Sequence, residues 1–203
     1  MIKMDAILLA AGMSKRMGQR NKLLLDWEGV PMIRHIAQTY LDAVGPAVTV
    51  ITGHESDEVQ AALAGLPLRF HHNPDFESGQ QSSVAAALSL HSAADATLIG
   101  LGDLPLLTVA NLQDLMKAHA PDRISIPYKG DQRGNPIIIP QIMRARMLAD
   151  SVQPGCKRFT RQNPDLVQKL PFEAAGFFTD IDTPETYANH RKGASNEIAI
   201  QAD

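Results

Sequence analysis

Cysteine is close to absent: Cys156 stands alone in a chain of 203 residues. That excludes an internal disulfide and any cysteine metal cluster, and a lone thiol with no histidine near it in sequence makes a poor catalytic nucleophile. An excess of one charge is also lacking. Lys and Arg number 19 against 22 Asp and Glu, a formal net charge of −3, whereas a general nucleic-acid binder needs a basic face. Long apolar runs are missing too, and none approaches the roughly 20 residues that cross a bilayer. Met1-Ile2-Lys3-Met4-Asp5 leads straight into an apolar stretch without the layout of a secretory signal. No repeat, low-complexity stretch or linker divides the chain. The expectation is a cytoplasmic protein with no nucleic-acid and no membrane partner.

What is present is ordinary for a globular chain: 44% hydrophobic and 20% charged residues, enough for one sizeable core. We expect a single domain over 1–193 and a flexible tail over 194–203, where the composition turns small and polar. Apolar runs at Ala6–Leu9, Ala47–Thr52, Leu68–His72 and Ala96–Leu101 alternate with segments of helical spacing. Those segments carry Met32, Ile33, Ile36, Tyr40 and Leu41, then Val59, Ala62 and Leu63, then Ser82 to Leu90. Strands alternating with helices predict an α/β fold, with a mostly parallel central sheet covered by helices on both faces. Further on, the sequence reads as a helix around Asn111–Met116, strands at Ile124–Ile126, Ile137–Ile139 and Leu166–Leu170, and a helix over Gln141–Ala149. A last helix opens with Thr183 as its cap and Pro184 in its first turn. Ligands of such sheets lie beyond the carboxyl ends of the strands, so the chemistry is sought in the loops that follow them.

The first of these loops is the most informative. After Ala6-Ile7-Leu8-Leu9 come Ala10-Ala11-Gly12-Met13-Ser14-Lys15-Arg16-Met17-Gly18 and, shortly after, Lys22. Small residues let the backbone turn sharply and approach a ligand, and Gly12 and Gly18 can take positive φ. Successive N–H groups in such a turn form an anion-binding nest, and three cations stand close by. The pattern is neither the P-loop nor the dinucleotide fingerprint. By itself it describes a polyphosphate cradle or an ordinary solvated basic turn.

Carboxylates supply the second signal. Asp103 follows a buried strand directly in Gly100-Leu101-Gly102-Asp103-Leu104-Pro105. It can serve as a turn residue or as a ligand of Mg²⁺, which takes one or two carboxylates together with substrate phosphates. Asp180 and Asp182 stand two residues apart, so on an extended segment they point to one side. Asp182 is expected to join Asp103 at a metal–triphosphate site, against the simpler role of helix cap. The loop from Asn73 through Gly79 to Ser82 and Ser83 ends at a helix N-terminus whose free N–H donors suit a ribose, base or phosphate, or simple capping by Ser82. His71 and His72, adjacent on a strand, face opposite ways and are read as structural. His54 is read as solvent-facing and Trp27 as core.

Taken together, L-A-A-G-M-S-x-R-M-G with Lys22, N-P, G-D-L-P, R-G-N-P and D-I-D-T-P-E resemble the MobA-like nucleotidyltransferases. Within that superfamily the chain is most similar to the molybdenum cofactor cytidylyltransferase branch, through its A-A-G loop and its R-G-N-P segment. The resemblance runs from about Met4 to Tyr187. It implies a Rossmann-like domain of the glycosyltransferase-A type. It implies that Leu9, Ala10, Ala11, Gly12, Asn73, Gly79, Ser82 and Gly102 hold the nucleotide, and that Arg16 and Lys22 hold the triphosphate. Asp103 and Asp182 would bind Mg²⁺, with Mn²⁺ as the alternative, and Lys22, Asp103 and Arg16 would be catalytic. Arg133, Gly134, Asn135, Pro136 and Gly155, with the stretch Pro154 to Phe159, would line the acceptor side. Gln80-Gln81, Cys156 and Thr186 depart from the common pattern and leave the metal site untouched.

The expected reaction is transfer of CMP from CTP to the terminal phosphate of molybdopterin or molybdenum cofactor, with release of pyrophosphate. A client molybdoenzyme is the expected protein partner. Rivals are a guanylyl or a sugar- or alditol-phosphate nucleotidyltransferase of the same fold, and a non-catalytic protein that delivers the cofactor.

Overall fold

Alternate residues of the first strand, β1 (Met4–Ala10), enter opposite layers of the molecule. Ala6, Leu8 and Ala10 join one buried cluster, and Ile7 and Leu9 join the other. A strand that is apolar at both parities has to be covered on both sides. The computed structural model describes residues 2–18, 20–149 and 156–191. After β1 come the short antiparallel pair β2 (Asp26–Trp27) and β3 (Val30–Pro31), α1 (Met32–Val44), β4 (Val48–Thr52), α2 (Ser56–Ala62) and β5 (Arg69–His72). Then follow α3 (Gln80–Ser89), β6 (Ala96–Leu101), α4 (Val109–Ala118), β7 (Ile124–Lys129), β8 (Gln132–Arg133), β9 (Ile137–Pro140) and α5 (Gln141–Leu148). The described chain finishes with α6 (Cys156–Gln162), β10 (Val167–Pro171) and the helical residues 184–191, here α7.

The main sheet has the order β10-β7-β9-β6-β1-β4-β5, with β8 paired to β7. β6, β1, β4 and β5 run parallel, and β10 runs parallel to β7. The expectation of a mostly parallel sheet is met, with two exceptions. The short β8 is antiparallel to β7, and β9 is antiparallel to both β6 and β7, its run of buried isoleucines giving no hint of direction. α1, α2 and α4 cover one face through Ile33, Ile36, Tyr40, Val59, Leu112 and Leu115. α3, α5 and α6 cover the other through Val84, Leu88, Met143, Met147 and Phe159. Each fully buried aliphatic side chain in these layers contributes about 1.5–3 kcal/mol. Trp27 is buried in the first layer as expected.

Both ends of α3 are tied down, and this matters for the site. At its start the buried Asn73 donates through Nδ2 to Ser82 Oγ (2.8 Å) and Ser83 Oγ (3.0 Å). At its end the buried Arg144 donates to the carbonyls of Ala87, Leu88 and Leu90 and to Thr97 Oγ1, satisfying carbonyls that a helix terminus leaves unpaired. α6 was not expected from the sequence. Gly155 and Pro154 of the proposed acceptor stretch, and the tail over 194–203, lie outside the described residues. Among the described residues no helix is long and apolar enough to cross a membrane.

Candidate active site

The register of the parallel strands decides what meets at their carboxyl ends. Leu9 of β1 pairs with Leu101 of β6, and Ala10 pairs with Thr52 of β4. The loops leaving β1 and β6 are therefore neighbours. In the first loop the left-handed residues are Ser14 (φ 50°) and Gly18 (φ 69°). The expectation that Gly12 supplies positive φ is corrected: Ser14 does so, at a steric cost of about 1–2 kcal/mol. Its hydroxyl compensates, accepting from the Lys22 amide (3.2 Å) and donating to Asn21 Oδ1 (3.4 Å), which also accepts from the Leu23 amide. This clamp fixes the backbone from which Lys22 projects.

Gly102 ties the second loop to the first. Its N–H donates to the Leu9 carbonyl at 3.0 Å, and a Cβ there would lie 2.8 Å from Ile33 Cδ1. Asp103 follows, and its carbonyl accepts from the Ile181 amide at 2.9 Å. Ile181 is fully buried, so the extended segment presents Asp180 and Asp182 together on the opposite side. Oxygens of Asp103, Asp180 and Asp182 all lie within 4.8 Å of one another. Asp182 does not cap α7: that role falls to Thr183, whose Oγ1 accepts from the Thr186 amide at 3.1 Å.

Cations meet these carboxylates. Lys22 Nζ donates to Asp103 Oδ2 and to Asp182 Oδ1, and Arg16 Nη1 donates to Asp182 Oδ2 at 3.1 Å. Burial pushes the Asp103 carboxyl above its ordinary range, and the Lys22 ammonium opposes that without cancelling it. Asp182 is more exposed; burial acts upward on it too, but the bonds from Lys22 and the charge of Arg16 win and hold it below the usual carboxylate value. Lys22 is pulled down by burial, yet Asp103 and Asp182 together hold it above its ordinary value. Asp103 Oδ1 is buried and has no hydrogen-bond partner. Three converging carboxylates with one orphaned oxygen suit a hard divalent cation, which takes oxygen ligands.

Two cavities open here. The first, about 500 Å³, is lined by Leu9, Ala10, Ala11, Gly12, Arg16, Lys22, Gly79, Asp103 and Asp182, all expected from the sequence, and also by Lys15, Phe76, Glu77, Ser83 and Asp180. The second, about 520 Å³, is lined by Arg133 and Asn135, both expected on the acceptor side, together with Gln81, Cys156, Lys157 and Arg158. Leu9, Gly79, Gln80 and Leu101 border both. Asn73, Ser82, Gly102, Gly134 and Pro136 are not among the lining residues. Asn73 and Ser82 build the start of α3, and Gly102 aims Asp103. Gly134 packs where a Cβ would lie 2.7 Å from the Phe178 ring, and Pro136 lies against Gly100. Arg133 Nη1 donates to Thr160 Oγ1 at 2.6 Å, which orients the guanidinium. Burial pushes the Cys156 thiol up to about 12, which keeps it protonated and unreactive.

Asp180 lies beside Asp182, as their two-residue spacing predicts, and joins a cluster for which the sequence names only Asp103 and Asp182 as metal ligands. Lys157 and Arg158 fall in the stretch Pro154 to Phe159 expected on the acceptor side, and both line the second cavity. The helix that carries them, α6, is what the sequence does not show, because it is short and polar. His54 and His72 stand beside Phe76, with ring centroids 6.2 and 6.5 Å away, and neither lines the first or the second cavity.

Comparison with known proteins bears on the family and the fold. A nicotine blue oxidoreductase from Paenarthrobacter nicotinovorans is 30% identical over 187 residues, covering 88% of this chain and 92% of that protein. A nucleotidyl transferase from Methanothermobacter thermautotroptrophicus superposes with a TM-score of 0.82 at 20% identity, over 94% of this chain and 97% of that one. A CMP:2-keto-3-deoxy-manno-octonic acid synthetase complexed with CTP superposes with a TM-score of 0.73 at 16% identity, over 96% and 99%. These likenesses make the fold that of the Rossmann-like glycosyltransferase-A type. Residues 6–167 match the MobA-like NTP transferase domain, and the chain belongs to that family.

Proposed function

We propose that this protein is a cytidylyltransferase that moves CMP from CTP to the terminal phosphate of molybdopterin or its molybdenum-loaded form. The observation that carries this reading is the cluster of Lys22, Asp103, Asp180 and Asp182 on the wall of a cavity that shares Leu9, Gly79, Gln80 and Leu101 with a second, cationic one. The amides of Ala10 to Gly12, with Arg16 and Lys22, hold the triphosphate. Arg133 and Lys157 hold the anionic acceptor. Asp103 and Asp182, with Asp180 beside them, would hold a divalent ion, and the ion would supply charge neutralisation at the phosphates.

An acceptor phosphate oxygen attacks the α-phosphorus in line. The new P–O bond forms as the bond to the β-phosphate bridge breaks, and the electron pair leaves with pyrophosphate. A phosphate monoester has a second pKa of about 6, so it arrives largely deprotonated and no general base is required. The chain then contributes position and fixed charge: Lys22 and Arg16 stabilise the departing pyrophosphate, and the wall of Leu9, Gly79, Gln80 and Leu101 sets the approach of the two substrates. CTP is favoured by the A-A-G form of the first loop and by the fold shared with a CTP-complexed synthetase.

The test is calorimetric titration with CTP and then GTP, each with Mg²⁺, followed by pyrophosphate release with molybdopterin as acceptor. CTP-selective binding and release upon adding molybdopterin are expected. A preference for GTP would move the protein to guanylyl transfer, and release only with a sugar or alditol phosphate would change the acceptor. Reduction of nicotine blue without binding of either nucleotide would favour the activity for which the 30%-identical relative is named. Complex formation with a molybdoenzyme without turnover would favour a delivery role.

A further inference from the structure

Lys22 occupies the position a metal ion would take. Its Nζ donates to one oxygen each of Asp103 and Asp182, two of the three carboxylates that converge within 4.8 Å, and its side chain is only 12% exposed. A divalent ion reaching those same oxygens has to displace the ammonium, because two cations in contact in a partly buried site repel strongly. The displaced ammonium cannot be left unpaired, since a desolvated charge without a partner is costly. A replacement anion has to come from a ligand. The backbone of Ala10 to Gly12 lines the same cavity as Lys22, so a phosphate chain seated there comes within reach of the swinging side chain.

We propose that Lys22 is an exchange element: it is the resident counter-ion of Asp103 and Asp182 in the nucleotide-free protein, and it yields them to a divalent ion when a triphosphate arrives to take the ammonium. This rests on reading the first cavity as a metal–triphosphate site. Its consequence is that the protein holds no tightly bound metal between turnovers. Metal alone would leave Lys22 unpaired, and triphosphate alone would face bare carboxylates, so each binds weakly and the two bind as a set. Couplings of this kind commonly amount to about 5–150-fold in affinity. Arg16 provides the contrast. It reaches only Asp182, through the other oxygen, and its side chain is 74% exposed, so it does not block the metal position.

The experiment is a titration of the nucleotide-free full chain with Mn²⁺, followed by electron paramagnetic resonance, for the wild type, Lys22→Met and Arg16→Met. It is paired with acetylation of Lys22 in the wild type, read by mass spectrometry. We expect Lys22→Met to bind Mn²⁺ about tenfold tighter than wild type and Arg16→Met to stay within about twofold. Acetylation of Lys22 should be slow in the free protein, faster with saturating Mn²⁺ alone, and slow again once CTP is added. Equal tightening by both variants, or none by Lys22→Met, overturns the proposal, and so does an acetylation rate that Mn²⁺ leaves unmoved. The labelling arm uses wild-type protein, so it decides the matter even where Lys22→Met folds poorly. Nucleotide binding with an unmoved label overturns the exchange alone. Failure of every nucleoside triphosphate to bind overturns the underlying reading and the hand-over with it.

Discussion

The two cavities are nearly equal in volume, about 500 and 520 Å³, and share a wall, yet they are built from different material. The first stands at the ends of parallel strands. It is lined by backbone of the β1 loop and by side chains of both signs, with Lys15, Arg16 and Lys22 against Glu77, Asp103, Asp180 and Asp182. The second stands between the β8–β9 segment and α6, and its charged lining residues are Arg133, Lys157 and Arg158, without a carboxylate among them. A mixed cluster suits a polyanion that brings its own metal, whereas a purely cationic one suits an anion that brings none.

Four substitutions break or sharpen this division. Asp103→Asn strikes the mixed cavity at its centre and should lower pyrophosphate release by about 10²–10³-fold or more. Near-full activity of that variant in Mg²⁺ would remove the metal site from the argument. Arg133→Met should act on the other side alone. Losing a charged hydrogen bond of about 1.5–3 kcal/mol would raise the acceptor KM by about 10–100-fold and leave the CTP KM unchanged, and equal shifts in both would mean that the cavities are not separate sites. Gly79 belongs to both walls and has φ 112° and ψ 174°, a region open to little besides glycine. Gly79→Ala should cost about 1–3 kcal/mol of stability in urea unfolding and raise both KM values together.

The smallest effect belongs to a residue in neither cavity. Burial pulls the His119 imidazole below its ordinary 6.5, with Asp122 opposing. Its Nδ1 is 2.7 Å from Ser125 Oγ, which donates to Gln168 Oε1, and its Nε2 is buried without a partner. The folded protein keeps this ring neutral where the unfolded chain protonates it. Stability should therefore be full above about 6.5 and decline as the pH falls below it toward the folded value. Thermal unfolding across that window should show the decline, and His119→Gln should flatten it while leaving both KM values in place.

Much of this was legible in the chain itself, for reasons that differ by region. The runs Ala6–Leu9, Ala47–Thr52 and Ala96–Leu101 are free of charge and carry apolar residues at both parities because their strands are buried on both faces, and that pattern predicts parallel neighbours. The loop cations and Asp103 follow from strand ends, which the same pattern locates. The reverse direction of β9 was not legible, since Ile137-Ile138-Ile139 reads the same both ways. Positive φ at Ser14 was hidden because it depends on the hydrogen bonds of Asn21 and Lys22, which form only after folding. Asn73 and Ser82 carry the right groups for a ligand but spend them on each other and on the start of α3, a choice that no spacing reveals.

The amide of Ile181, bonded to the carbonyl of Asp103, has a consequence for the order in which competence is gained. The first loop, Lys22 and Asp103 all belong to the part of the chain that emerges early from the ribosome. The remaining carboxylates emerge late, and Lys22 and Asp182 are 160 positions apart. Contacts of such separation form late and slowly. A nascent chain with its parallel strands already paired thus holds the first loop facing a single carboxylate, and the cluster of three is complete only when Ile181 docks.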